Sequence, residues 1–175
     1  MDKRLLGYCF ALLLLVGCAN QNTRDIVIDT DSDPKANLAG YKTYAWFGSA
    51  AVVNDPEGKW NPPEFDAGAE IGFLIDRELR ARGMIESQSD PDLLVMYGVG
   101  IDMENVEFKI DPDSELEELA NVPRGALVVI MIDPQTSLAV WGGVATAEMK
   151  QSPDSDIVRQ RLDYAISSMF KQLPK

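Results

Sequence analysis

The run Ala126-Leu127-Val128-Val129-Ile130-Met131-Ile132 constrains the chain most. It is unbroken, rich in β-branched residues and bounded by Gly125 and by Asp133-Pro134, which marks it as a central strand. Pro134 presets φ for a turn, and Leu138-Ala139-Val140-Trp141-Gly142-Gly143-Val144-Ala145 follows as the returning arm of a hairpin. An amphipathic helix capped by Asp154 or Ser155 closes the chain, with Val158, Leu162, Ala165, Ile166, Met169 and Phe170 on one face. The expected core is the strand Leu127 to Ile132 with Val158, Leu162, Ile166 and Phe170 packed on it.

Upstream, Ile26-Val27-Ile28 reads as a strand that stops at the turn-rich Asp29-Thr30-Asp31-Ser32-Asp33-Pro34, and Tyr41 to Phe47 as a second strand. Residues 48 to 65 hold Gly48, Asn54-Asp55-Pro56, Gly58 and Pro62-Pro63, so a long loop without a regular element is expected there. Asp66 caps a helix to Arg82, with Ile71, Leu74, Ile75 and Leu79 at helical spacing and Gly83 as its stop. Leu93 to Ile101 is a buried strand, and Asn105 to Ile110 continues it or returns as a short one. Ser114 with Glu117 three residues on is a capping-box pattern, which predicts a short acidic helix before Pro123. Two amphipathic helices on one face of a mostly antiparallel sheet give an α+β two-layer sandwich.

Composition narrows the function. The 175 residues carry a formal net charge of −12, with 28 Asp plus Glu against 16 Lys plus Arg, and no histidine. There is no basic stripe to neutralise phosphates, so nucleic acid is not an expected partner. Without histidine, Ser-His-Asp and Cys-His mechanisms and His-ligated metals are excluded.

The N-terminal residues 1–17 read as a signal peptide: Met1-Asp2-Lys3-Arg4, then an apolar run from Leu5 to Val16 that falls short of the roughly 20 residues of a spanning helix. Leu15-Val16-Gly17-Cys18 resembles the lipobox of bacterial lipoproteins. The resemblance implies that the Cys18 thiol is diacylated, the chain cut before it and the new amine acylated again, giving a stable membrane anchor. Ala19 in place of Asp implies sorting to the outer membrane. Residues 18–25 are then the lipidated Cys and a short tether, roughly 25 Å at full extension, and 26–175 a single periplasmic domain. Cys9 would leave with the signal peptide, so no disulfide framework is expected.

Several spaced features resemble one family. They are the lipobox, Val27 to Asp31, Tyr41-Lys42-Thr43-Tyr44-Ala45-Trp46, Pro91-Asp92-Leu93-Leu94-Val95, Ile132-Asp133-Pro134-Gln135-Thr136 leading to Val140-Trp141, and Phe170 to Pro174. Together, in this order, they are similar to the bacterial lipoprotein family defined by domain of unknown function number 4136. The chain departs from it at Thr30 and Gly142, where members often carry an aromatic and a basic residue. The resemblance implies an envelope lipoprotein and supplies no catalytic residues.

Asp29, Asp31 and Asp33 have the spacing of the first ligands of a calcium loop, but Pro34 follows and position 40 is glycine where an EF-hand needs glutamate. A solvated strand end is the plainer reading, and no metal or other cofactor is expected. Gly98-x-Gly100 lacks the third glycine of a dinucleotide site. Trp60, in the Pro-rich loop, is the one candidate interaction residue, with packing over the first long helix as its alternative. The expectation is a non-enzymatic, membrane-tethered accessory or interaction module whose partner is an envelope protein or small ligand. A weak divalent-cation or small-ligand binder and, further off, an envelope hydrolase are the alternatives.

Overall fold

A computed structural model of the chain describes residues 21–110 and 117–174. The strands in chain order are β1 (Val27–Ser32), β2 (Thr43–Asn54), β3 (Ile85–Glu86), β4 (Leu93–Asp102), β5 (Val106–Ile110), β6 (Glu117–Asn121), β7 (Arg124–Asp133) and β8 (Leu138–Glu148). The helices are α1 (Ala67–Ala81) and α2 (Ser155–Lys171). Six strands form one sheet in the order β1-β8-β7-β4-β2-β3, and β5 and β6 form a separate pair. The result is the expected α+β two-layer sandwich.

The helices begin where their caps require. The Asp66 carboxylate accepts from Ala69 N at 2.9 Å, and Asp154 accepts from Asp156 N at 2.9 Å and Ile157 N at 3.2 Å, satisfying donors the first turn leaves open. Gly83, at φ +79°, ends α1 in the left-handed region that favours glycine. Both helices turn their apolar sides to one sheet face, where Ile71, Leu74, Ile75 and Leu79 meet Ala165, Ile166, Met169 and Phe170 over Leu93, Val95, Leu127, Val129 and Met131.

Strand alternation divides β7. Leu127, Val129 and Met131 are buried beneath the helices, whereas Val128, Ile130 and Ile132 lie on the opposite face and are half-buried. The core therefore takes every second residue of the apolar run. At the far end of β7 the register slips between Met131 and Ile132, a bulge that leaves Val140 and Trp141 both buried. Trp141 packs against Phe170 with ring centroids 5.3 Å apart.

Three expectations are corrected. β1 runs on through Asp29 and Asp31 to Ser32, because antiparallel pairing from Val27–Thr146 to Ser32–Trp141 carries the backbone past the polar residues. β2 does not stop at Phe47. It passes a bulge at Phe47-Gly48 and continues to Asn54, paired in parallel with β4 up to Asn54–Asp102, so the irregular loop is only the segment after Asn54. The acidic segment is strand rather than helix from Glu117 on, paired with β5 from Val106–Asn121 to Ile110–Glu117. Ser114, the proposed cap, lies outside the described residues. The parallel β2–β4 pair needs a long crossover, which α1 supplies; the remaining long ladders β4–β7, β7–β8 and β8–β1 are antiparallel.

Candidate interaction surface

Among the described residues, the helices cover one face of the main sheet and leave the other open. On the open face β1 places Asp29 and Asp31, β8 Gly142 and Val144, β7 Val128 and Ile130, and these line a shallow depression of about 360 Å³. Continuing across the register, Met96 and Gly98 of β4 and then Gly48 and Ala50 of β2 occupy the same side. The middle of this face is apolar, Asp29 and Asp31 stand at its β1 border, and by register Glu148, Arg124 and Asp102 share its side at one end.

The two edges differ. β1 carries Asp29 and Asp31 on its exposed side. At the other edge β3 pairs only with Thr43 and Tyr44 of β2, so β2 from Phe47 to Asn54 is exposed at every residue. A notch of about 200 Å³ between Trp46, Gly48, Ser49, Gly72 and Tyr97 lies where β2 passes α1. Trp46 and Tyr97 meet edge to face there at 6.1 Å, and the Tyr97 hydroxyl donates to Gly68 O at 3.1 Å.

Much of the described acidic side-chain chemistry is committed to holding the chain. Asp92 accepts from Lys42 N at 2.7 Å and Thr43 N at 2.8 Å while its own N donates to Thr43 Oγ1 at 2.9 Å. The two backbone donors hold its carboxyl below the usual range. Asp133 accepts from the Tyr41 hydroxyl at 3.2 Å and from Gln135 N at 2.7 Å; burial first, then Asp133, raises the Tyr41 hydroxyl pKa. Tyr44, beneath α1, donates to Asp76 at 2.7 Å. Its burial, with that bond next, pushes its pKa up to about 12.

The residues singled out from the sequence fall in different places. Cys18 lies outside the described residues. Asp29 and Asp31 share the exposed side of β1, and Asp33, which lines the same depression, accepts from Lys35 N at 2.8 Å and closes a turn. Among the described residues no three acidic, histidine or cysteine side chains gather as a metal site. Trp60 is half-buried rather than free. Its backbone N donates to Asp55 Oδ2 at 2.8 Å, Asn61 N donates to Gln151 O at 2.8 Å, and its indole nitrogen is buried without a hydrogen-bond partner. Sequence reading missed the open face and the exposed half of β2; the Ala50-Ala51-Val52-Val53 run was the available signal for the latter.

The fold and surface define a small α+β domain with one covered and one open sheet face. A family model described as "Domain of unknown function (DUF4136)" matches residues 28–175, and the chain belongs to that family. Among solved structures it is similar to a DUF4136 family protein from Bacteroides thetaiotaomicron, at 12% identity and TM-score 0.56, over 85% of this chain and 95% of that one. It is also similar to a PDZ domain protein from Parabacteroides distasonis, at 14% identity and TM-score 0.55. That match covers 100% of this chain and 41% of the other, so the chain spans about two fifths of that protein's length. At such identities the likeness speaks for the fold alone. No curated protein matches significantly.

Proposed function

We propose that this chain is a lipid-anchored, non-enzymatic interaction module of the bacterial envelope, held at the outer membrane through acyl chains on Cys18, with its folded body facing the periplasm. The observation that carries the reading is the lipobox-like Leu15-Val16-Gly17-Cys18 directly before the domain. Gln21–Thr23 forms a 3₁₀ turn, and Arg161 of α2 binds both Asn22 O and the Asp25 carboxylate. Three residue steps from Cys18 to Gln21 can reach at most about 10 Å. Such a tether keeps the start of β1 and the flank of α2 next to the bilayer and leaves the far end of the sheet free for contact. Among the described residues no helix is long and apolar enough to cross a membrane, which suits anchoring by acyl chains.

The test is Cys18→Ser in a diderm bacterium, read by mass spectrometry of the N-terminus and by density-gradient separation of the two membranes. Wild type is expected triacylated and in the outer-membrane fraction, and the variant unacylated and released. Acyl chains retained on the variant, or wild type recovered without them, would sink the reading.

A further inference from the structure

An exposed strand edge presents unpaired backbone N–H and C=O groups, and natural proteins commonly block such edges with charge, proline or cover. Among the described residues, this sheet blocks one edge and leaves the other open. β1 carries Asp29 and Asp31 within six residues. Between Lys42 and Asp55, by contrast, β2 has no charged residue and no proline in a chain that is 25% charged. Along it Phe47 is 65% exposed, Val52 70% and Val53 48%. Only an extended backbone can satisfy a row of strand donors and acceptors, so the occupant is another strand.

We infer that the occupant is β2 of a second copy, paired antiparallel about a two-fold axis to join two six-stranded sheets into one. The bulge at Phe47-Gly48 interrupts the register, which leaves Gly48 to Asn54 as the regular, available edge. A two-fold axis perpendicular to the sheet keeps each face on its own side, so one residue faces itself, and the midpoint of that segment is Ala51. The register then sets Ala50 opposite Val52 and Ser49 opposite Val53, each a small residue against a β-branched one, and no charge opposes charge. Charge favours this edge for self-association, because copies at −12 each repel wherever their carboxylates face one another. It also ends the assembly: the outer edges of the joined sheet are the β1 strands, whose aspartates resist further pairing, so contact closes at a dimer. A single strand pair is smaller than the roughly 800 Å² per partner of a standard interface, and the dimer is reversible.

Sedimentation equilibrium of the full chain in detergent, with hydrogen exchange across a hundredfold range of concentration, tests this. The expected result is a monomer–dimer equilibrium that tightens as salt screens the net charge, with amides of Gly48 to Asn54 gaining protection as concentration rises. Val52→Lys should weaken the dimer tenfold or more without lowering the monomer's melting temperature. Val27→Lys, at an equally exposed site on β1 (63%), should leave it within twofold. Ala51→Lys and Ala51→Glu should each be monomeric and should dimerise when mixed, a rescue that also covers the case in which Val52→Lys fails to fold. A chain monomeric at every concentration, a dimer indifferent to Val52→Lys but sensitive to Val27→Lys, or a charge-swap mixture that stays monomeric would overturn the proposal. Concentration-independent protection of 48–54 in a monomer would overturn it too, by assigning the edge to the chain's own residues.

Discussion

Arg161 of α2 grips Asp25, just before β1, with both arms of its guanidinium, Nη1 to Oδ1 at 2.8 Å and Nη2 to Oδ2 at 2.7 Å. The same carboxylate accepts from Glu148 N at 3.0 Å, and Arg161 reaches Glu148 O at 3.1 Å. One ion pair thus ties the entry of β1, the end of β8 and the middle of α2.

This pair should give the fold an acid limb. The hydrogen bond from Arg161 holds the Asp25 carboxyl below its usual 3.8, outweighing the opposing effect of partial burial. A carboxylate depressed in the folded state contributes stability that is full above its unfolded pKa and is lost as pH falls through the lower folded value. Asp25→Asn should cost about 1 kcal/mol at pH 7, the upper range for a partly exposed pair. It should also flatten the decline in stability as pH falls below about 4. Urea melts at pH 7 and pH 3 check both effects; an unchanged acid limb in the variant would assign the proton uptake elsewhere.

Neighbouring residues of β7 should behave oppositely on truncation. Met131 is fully buried, and Met131→Ala should cost about 2–5 kcal/mol. Ile130 lines the open depression, and Ile130→Ala should cost about 1 kcal/mol or less, as at sites without a cavity to leave. Equal losses would mean that the open face is covered in solution.

That contrast shows why a uniformly apolar run hides its faces: period-2 alternation has no polar partner to mark it, so Ile130 and Met131 look alike in sequence. Helices were legible because their signals are local, with Asp66 and Asp154 as caps and Gly83 as a stop. The family-like motifs were legible as words but not as contacts. The structure brings Tyr41 to Asp133 and Lys42-Thr43 to Asp92, bonds that tie the start of β2 to the start of β4 and the end of β7. Misread segments had local signals that distant pairing overrode. Glu117 to Asn121 follows a helix cap pattern yet satisfies its backbone against β5, and Gly48 punctuates β2 yet only bulges it because β4 carries the ladder on. The open face follows from which side the helices take, which no single segment encodes.

Trp60 offers a test of whether its loop is pinned or free. With its indole nitrogen buried and unpartnered and Asn61 bound to Gln151, Trp60→Ala should cost about 2 kcal/mol, short of the 3–5 of a fully buried aromatic. Trp60→Phe keeps an aromatic ring and removes the orphaned donor, so it should stay within about 1 kcal/mol of wild type. Guanidinium melts of the two variants decide it; a neutral Trp60→Ala would return the residue to the surface role its loop composition suggested.

The glycine pair after Trp141 should divide in the same way as the faces of its strand. A Cβ on Gly143 would meet Trp141 Cη2 at 2.8 Å and Met169 Sδ at 3.0 Å, on the buried side where α2 lies against the sheet. The indole is itself held against Phe170, so it cannot retreat without disturbing a second ring. Gly143→Ala should therefore cost about 1–3 kcal/mol, the range for overpacking a filled core. A Cβ on Gly142 would meet nothing nearer than Val129 O at 3.9 Å and would project over the open depression, so Gly142→Ala should change stability by no more than about 0.5 kcal/mol. Thermal melts of both variants, with near-ultraviolet circular dichroism to follow the Trp141 environment, separate the faces. A Gly143→Ala protein with unchanged melting temperature and indole signal would show that α2 does not press on β8 as the packing requires.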